Sequence, residues 1–517
     1  MFALLAQKRF APLFWTQFLA AFNDNFLKNA LIFLIMYKMS GPHAESLITL
    51  AGAIFILPFF VLSGLGGQLA DRYDKALLAR RIKFVEIFAA LVAVAGFAWQ
   101  SVPVLFLALA LFGVLSTLFG PIKYGILPDH LYKSELPAGN ALIEGATFIA
   151  ILLGTIVGGL ASRDGGDPAT ISGAMLLVAV GCYAASRFIP PTGGEAPDLT
   201  IDANIFRSTR DLLQDLWADK RLWRAGVMVS LFWMFGAIAL SVLPPMIKMR
   251  MGGEEMVVSI YLSLFAISVA LGSALGSFFC SGRIVLLPAP IATLALGLFA
   301  ADLAFALHAM APAAAELHAG AFFRQPAAWR VGIDLAGMAV AGGVLAVPSF
   351  AAAQAWAPAE RRARIVAAIN VLNAAFMVVG ALAVTALQAK GLGLDGVFAL
   401  MAVAAAISAI WMFARLPTNP MRDFLSILFR AFYRLEVKGR DNIAKAGPNA
   451  IIALNHVSFL DAALALSLLE DEPIFAIDSS IAQRWWVTPF LRFVRALPLD
   501  PTKPMATRSL IQAVRKG

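Results

Sequence analysis

Three places in the 517 residues bring together side chains that could do chemistry. The first is Phe22-Asn23-Asp24-Asn25-Phe26-Leu27-Lys28-Asn29, in a run that is otherwise apolar. Asp24 and Lys28 are four apart, so on a helix they share a face and can neutralise each other. The bland reading is an ion pair that only lets the helix insert. Three amides beside the pair make a polar face larger than neutralisation needs, and ionisable groups inside a spanning helix are functional candidates by default. The second place is Gly120-Pro121-Ile122-Lys123-Tyr124-Gly125-Ile126-Leu127-Pro128, where Pro and Gly are expected to break a helix beside a cation and a phenol. Broken helices at depth occur where backbone lines a cavity. A lysine at an interface can equally just snorkel, and both readings stand. Glu144, in the next apolar run, is a further buried-acid candidate. The third place is Asn455-His456-Val457-Ser458-Phe459-Leu460-Asp461. There the imidazole of His456 can take a proton from a hydroxyl nucleophile, while Asp461 holds its tautomer and stabilises its charged form. The spacing alone is weak, since His130 precedes Glu135 at the same interval without such context.

The elements that must position these residues are set by composition. Sixty per cent of the residues are hydrophobic and 14% charged, with a mean hydropathy of +0.78. A soluble domain sits nearer half apolar and a quarter charged, so lipid is the solvent for most of this chain. Cys182 and Cys280, the only cysteines, stand in apolar stretches and argue against a disulfide framework. A spanning helix needs about 20 mostly apolar residues. That ruler gives spans near 10–37, 48–70, 84–101, 103–127, 140–162 and 170–189, then 222–247, 257–281, 284–310, 329–356, 364–388 and 392–414. Cations gather in alternate loops: Arg72, Lys75, Arg80, Arg81 and Lys83 in the first inter-span loop, Arg187, Arg207, Arg210, Lys220, Arg221 and Arg224 in the central one, and Arg361, Arg362 and Arg364 later. Positive loops stay inside, which puts both termini and the central loop in the cytoplasm. The net charge of +9 is therefore read as orientation rather than as a nucleic-acid surface. No cofactor or metal is expected. Two six-span halves with internal ends suit a transporter that rocks about a midplane site.

The first inter-span loop reads Gly67-Gln68-Leu69-Ala70-Asp71-Arg72-Tyr73-Asp74-Lys75 and resembles the signature of the major facilitator superfamily. Gly67 allows close helix approach. A carboxylate at a helix end, here Asp71, can cap a neighbouring helix and pair with arginines such as Arg72, while Lys75 adds the following cation, so that the halves are latched on the inner side. Asp74 departs from the family pattern, which often has Gly there. The corresponding stretch of the second half, Gly276 to Arg283, is degenerate, so the latch is expected to be asymmetric. The segments around Asp24 and Lys123 resemble the lysophospholipid transporter family, over roughly residues 8–415. The resemblance implies movement of lysophosphatidylethanolamine-like lipid to the inner leaflet of a bacterial inner membrane. It makes Asp24, Lys28 and Lys123 candidate headgroup contacts, with Asn23, Asn25, Tyr124 and Glu144 around them. A phosphoethanolamine carries one anion and one cation, which suits a site with both acid and lysine.

After about Leu416 the texture changes. Residues 421–435 alternate apolar positions with Arg422, Arg430 and Arg434, as in a helix lying in the membrane interface. A strand-like 435–439 and an apolar strand at 450–454 precede the His456 motif. That placement, with Phe490 to Ala506, resembles the glycerophospholipid acyltransferases, and in particular the 2-acylglycerophosphoethanolamine acyltransferases. The resemblance implies His456 as base, Asp461 as its partner, a lysophospholipid hydroxyl as acceptor and acyl-carrier protein or acyl-CoA as donor. The family's phosphate-binding Phe-Pro-Glu-Gly-Arg block does not occur before residue 517, so the segment is expected to be an incomplete, inactive domain of a longer fusion. The expected fold class is thus an all-α major facilitator fold of twelve transmembrane helices followed by a truncated α/β acyltransferase domain. Its expected parts are a first half at 1–190, a central loop at 191–221, a second half at 222–415, an interfacial linker at 416–435 and the acyltransferase part at 436–517. The expected partners are lysophospholipid and membrane lipids. The rival function is a proton-coupled exporter of drugs or small solutes, with Asp24 carrying the proton.

Overall fold

The computed structural model describes residues 1–38, 42–161, 167–202, 204–280, 283–311, 313, 315–433, 435, 437, 439, 442, 451–455, 460–469, 473–491, 494–500, 508, 511–512 and 514, with 37, 38, 42–46, 49 and 490 described by backbone alone. His456 lies outside the described residues. The chain divides into two compact units, one of residues 1–284 and 288–415, the other of 285–287 and 416–517.

The first unit contains α1 (Ala11–Lys38), α2 (Pro42–Arg72), α3 (Lys75–Ala98), α4 (Val102–Gly125), the single turn α5 (Leu127–His130), α6 (Leu136–Ala161), α7 (Pro168–Ser186) and α8 (Ile205–Ala218). It continues with α9 (Lys220–Pro245), which runs into a π-helical turn at Met246–Arg250. Then come α10 (Glu255–Phe279), α11 (Pro288–Ala309), the short α12 (Ala319–Phe322), α13 (Pro326–Trp356), α14 (Arg362–Ala389) and α15 (Leu394–Ala414). Eleven of these stretches are long and apolar enough to cross a membrane. The twelfth helix of comparable length, α3, carries too many charges in its first half to meet the same measure, for a reason given below. Large apolar side chains such as Leu177, Leu298, Ile333 and Ile410 face outward. That is the surface a hydrocarbon solvent requires, and continuous helix leaves no backbone group unsatisfied there.

Short polar residues start the helices. Asp74, Asp167, Asn204 and Asp219 each accept a hydrogen bond from a backbone N–H in the first turn of α3, α7, α8 and α9, the satisfaction that an N-terminal turn lacks by itself. In the first six helices α1 packs on α6 and α7, and α3 on α4 and α7; in the second six α10 packs on α13, and α11 on α13 and α15. The halves meet where α2 crosses α14 and α6 crosses α10.

Three expectations are corrected in this unit. The first loop is not a loop to residue 83: α3 begins at Lys75, because Asp74 caps it by accepting from the Leu77 N–H at 2.7 Å. Pro121 does not break α4, which runs through it to Gly125. The central segment 191–221 is not all loop, since α8 forms within it.

The second unit opens with α16 (Pro420–Phe432), capped by Asn419, whose side chain accepts from the N–H groups of Met421 and Arg422. Asp423 accepts from the backbone N–H groups of Leu286 and Leu287 at 2.9 and 3.1 Å and from the Thr418 hydroxyl at 2.5 Å. Beyond it lie α17 (Leu460–Leu468), β1 (Ile474–Asp478) and β2 (Arg495–Leu499). The two strands pair in parallel, Ile474 opposite Arg495 and Asp478 opposite Leu499. A parallel pair needs a crossover, and residues 479–494 supply it with two single helical turns. The strand expected at 450–454 is not seen: residues 451–455 are neither strand nor helix. Among the described residues the strands that pair are 474–478 and 495–499.

Candidate transport site

Asp24 stands halfway along α1, buried. One of its oxygens accepts from the Ser116 hydroxyl of α4 at 2.6 Å. The other is buried and has no hydrogen-bond partner among the described residues. Lys28 is half-buried, and its Nζ donates to Asn25 Oδ1 at 3.1 Å. Among the described residues no ion pair within 4 Å joins Asp24 to Lys28; the two interact at longer range, and each makes a separate hydrogen bond. Asn23 donates to the Met175 carbonyl at 3.4 Å, while its own side-chain oxygen is unmet. Asn25 and Asn29 back-bond to the carbonyls of Ala21 and Asn25, both at 2.8 Å, and Asn29 also reaches the Thr155 hydroxyl at 3.1 Å.

This polar stretch of α1 is held close by α6. A Cβ at Gly154 would fall 2.4 Å from the Phe22 carbonyl oxygen, and one at Gly158 would fall 2.7 Å from that of Phe26. Only glycine permits backbones to approach so closely.

Sequence reasoning missed a neighbour of this segment. Lys83 and Glu86, one counted as a loop cation and the other overlooked, lie inside α3 as a fully buried ion pair with Nζ–Oε2 at 2.5 Å. The Lys83 ammonium also sits 4.3 Å over the Phe119 ring. Glu86 keeps one buried oxygen without a partner. The signal was available: once Asp74 is read as a cap, Lys83 lies eight residues into α3, about 12 Å along its axis. These charges are also why α3 scores poorly as a span.

At the end of α4, Lys123 is half-buried with Nζ 4.6 Å over the Tyr124 ring. The Tyr124 hydroxyl donates to Glu144 of α6. Its ring stacks on Phe350 of α13, with centroids 4.7 Å apart and planes 11° off parallel. Glu144 is buried and its second oxygen is unmet. The groups form one electrostatic cluster: Asp24 interacts with Glu86, Lys83 and Lys28, and Lys123 with Glu144, Asp24 and Lys83. Three carboxylates, Asp24, Glu86 and Glu144, thus each carry one buried oxygen without a donor among the described residues. Leaving such an acceptor unmet costs about 1–3 kcal/mol, so the cluster suits a cationic group or a proton, while Lys28 and Lys123 offer donors to an anion.

At one end of the bundle the two halves are tied together. Asp71 is buried at the end of α2 and accepts from the backbone N–H of Ala363 at 2.8 Å, from that of Arg364 at 3.2 Å and from Arg364 Nε at 3.0 Å. The carboxylate therefore caps α14 and pairs with its first turn. Gly67 makes room for this, since a Cβ there would sit 2.8 Å from the Ala367 Cβ. Lys75 is fully buried and binds Asp129 at 2.8 Å, and Asp129 in turn takes Arg362 of α14 at 2.7 Å. Arg72 lies over Tyr73 instead, 5.4 Å from the ring centroid. Asn140 of α6 and Gln354 of α13 exchange two hydrogen bonds at 2.7 and 3.0 Å. Asp74 is held below the ordinary carboxylate range: burial opposes its ionisation, but the N–H groups of Leu77, Gly193 and Thr192 outweigh that. In the second unit Asp461 stands in the first turn of α17.

Two six-helix halves around a buried charged cluster, joined at one end by capped and ion-paired helix termini, define a multi-pass transporter of the alternating-halves kind. Residues 13–339 match the Major Facilitator Superfamily, and the chain belongs to that family. Residues 434–516 match the Acyltransferase family. Among curated proteins the chain is similar to the lysophospholipid transporters LplT of Yersinia pestis (strain Pestoides F) and Yersinia pseudotuberculosis (serotype O:3), each 27% identical over 275 residues, or 52% of this chain. The chain spans 64% of the length of these relatives. Among solved structures it resembles the human organic anion transporter MFSD10, with a TM-score of 0.62 at 15% identity over 78% of this chain and 98% of that one. It also resembles the transporter FucP in its outward conformation, with a TM-score of 0.59 at 12% identity over 79% and 98%. Likeness at such identity speaks for the fold alone.

Proposed function

We propose that this protein moves a lysophospholipid of the lysophosphatidylethanolamine type to the inner leaflet, where an acyltransferase segment of the same protein restores its second chain. The observation that carries the reading is the buried cluster of Asp24, Glu86 and Glu144 with Lys28 and Lys123. A zwitterionic headgroup offers an ammonium to the unmet carboxylate oxygens and a phosphate to the lysines. The similarity to the lysophospholipid transporters LplT supports the same substrate class, and the match of residues 434–516 to the Acyltransferase family suits reacylation. Asn25 and Tyr124 orient Lys28 and Glu144, and Asn23 offers its side-chain oxygen to the headgroup. Gly67, Asp71, Arg72 and Lys75 belong to the inner gate.

The alternate positive loops favour a bacterial inner membrane with both termini in the cytoplasm. The working parts are two six-helix halves at 1–190 and 222–415, joined by 191–221, then a linker at 416–435 and the acyltransferase part at 436–517. His456 would serve as base, Asp461 as its partner and acyl-carrier protein or acyl-CoA as donor.

The test is uptake of labelled lysophosphatidylethanolamine by spheroplasts that express the full chain. Uptake above the vector control is expected, and Asp24→Asn, Lys28→Ala or Lys123→Ala should each lower it about tenfold or more, as expected for loss of one charge-assisted contact. Absence of uptake in the wild type, or wild-type uptake in all three variants, overturns the reading.

A further inference from the structure

A cavity of about 730 Å³ lies away from the charged cluster, between α8 and the seam of α2 and α14. It falls within the ~300–1,000 Å³ range of small-ligand sites. Amphipathic α8 docks by one stripe: Ser208, Leu212 and Leu216 are buried, and a Cβ on Gly64 of α2 would meet the Ser208 Oγ at 2.7 Å. The neighbouring stripe, Phe206, Arg210, Leu213 and Trp217, is spaced three and four apart, as one face of a helix must be, and lines the cavity. Phe60 of α2, Leu372 of α14 and Trp223 of α9 complete the lining. Leu372 is ten residues into α14, so the slot reaches roughly 15 Å from the end of the bundle toward its middle.

The charged, amide and hydroxyl groups of the lining, Arg210, Gln214 and Thr209, all lie on α8. Arg207 pairs with Asp202 at 3.5 Å and with Asp211 at 4.0 Å, and Arg221 pairs with Asp219 at 3.4 Å. Arg210 has no ion-pair partner among the described residues. The Thr209 hydroxyl, also in the lining, is buried and has no hydrogen-bond partner among them either. Trp217 and Trp223 pack edge to face at 4.6 Å, the amphipathic aromatics typical of a membrane–water boundary. An open, largely apolar groove, with a guanidinium and a hydroxyl that lack partners among the described residues, is complementary to one acyl chain bearing a phosphate.

We propose that this slot is a second lipid site, which holds a lysophospholipid at the inner leaflet with its acyl chain between α2 and α14 and its phosphate on Arg210. The proposal rests on the lysophospholipid reading and adds to it a waiting position between release from the charged cluster and the acyltransferase segment. The occupant is a single-chain lipid: a cavity of about 730 Å³ has room for one acyl chain and a phosphate but not for two chains.

The experiment uses the full chain in nanodiscs of diacyl phosphatidylcholine, titrated with lysophosphatidylethanolamine brominated on its acyl chain, with tryptophan fluorescence as readout. Saturable quenching is expected, and Trp217→Phe with Trp223→Phe should remove most of it. Arg210→Glu should raise the half-saturating concentration about tenfold, the effect of losing one charge-assisted contact, and Arg210→Lys should raise it less. Asp24→Asn should leave this quenching unchanged while abolishing uptake. Quenching that does not saturate, that a brominated diacyl phosphatidylethanolamine reproduces at equal concentration, or that Arg210→Glu does not move overturns the slot as a lysophospholipid site. Saturable quenching at the slot in a protein that shows no uptake would instead overturn the transport reading and leave the slot standing.

Discussion

In the first six long helices the buried interior holds Asp24, Lys83, Glu86 and Glu144, with Lys28 and Lys123 half-buried beside them. In the second six the buried polar groups of the helices are, among the described residues, mostly neutral: Ser230 donates to Asn373 at 2.8 Å, and Ser268, Thr293 and Ser349 are buried hydroxyls. The second half's buried acid, Asp334, lies instead toward the far end of the bundle, by the exposed Arg330–Asp302 pair. Burying charge in a membrane protein is expensive, so a chain that concentrates it in one half is using it there. The charged interior belongs to the first half, and the second presents a largely uncharged wall beside it.

The comparison is broken most sharply at the buried pair of α3. Lys83→Met leaves Glu86 alone in the interior and should destabilise the first half by about 3–5 kcal/mol, whereas Lys83→Met with Glu86→Leu should recover most of that. Thermal unfolding in detergent measures both. A double variant as unstable as the single one would mean that the pair is not mutually neutralising.

Next in size is the tie between halves. Asp71→Asn weakens contacts to the α14 terminus and Arg364 by about 1.5–3 kcal/mol, a shift of roughly 10–150-fold toward conformations open at that end. Labelling of Ala351→Cys, a fully buried position in α13, should speed up accordingly. An unchanged rate would assign the closure to the Asn140–Gln354 and Asp129 contacts instead.

Two hydroxyls then test the asymmetry directly. Ser116→Ala removes the donor to Asp24 and should cut lysophospholipid uptake about tenfold. Ser230→Ala, its counterpart in the neutral half, should stay within about twofold. Equal losses would abolish the distinction between the halves.

The smallest effect concerns Asp74. Its folded value is lowered, so its contribution is complete above the unfolded value near pH 4 and is lost as the pH falls through the folded one. Asp74→Ala should cost about 1 kcal/mol as a lost helix cap, constant from pH 5 to 8. The difference in thermal stability between wild type and variant should shrink below pH 4.

Much of the fold was legible because each span must present an apolar surface of fixed length to lipid, and that leaves a mark in composition. The paired halves and the polar stretch of α1 follow from that mark. The errors came where a local choice overruled it. Asp74 began α3 nine residues before the expected span and carried Lys83 from an expected loop to the interior. Pro121 stayed in helix, because ending α4 there would leave backbone groups unmet in an apolar surrounding. Residues 451–454 are not strand, and apolar composition alone does not set which segment pairs.

By itself the sequence determined the solvent, the number of crossings, the family and the residue types a headgroup needs, since these depend on composition and local spacing. Only the tertiary structure decided the pairings. Asp24 meets Ser116, 92 residues away, rather than Lys28, and Asp71 caps a helix that begins 291 positions later, at Arg362. A carboxylate takes whichever donor packing brings within about 3 Å, and that neighbour is fixed by how helices cross, which no local pattern records.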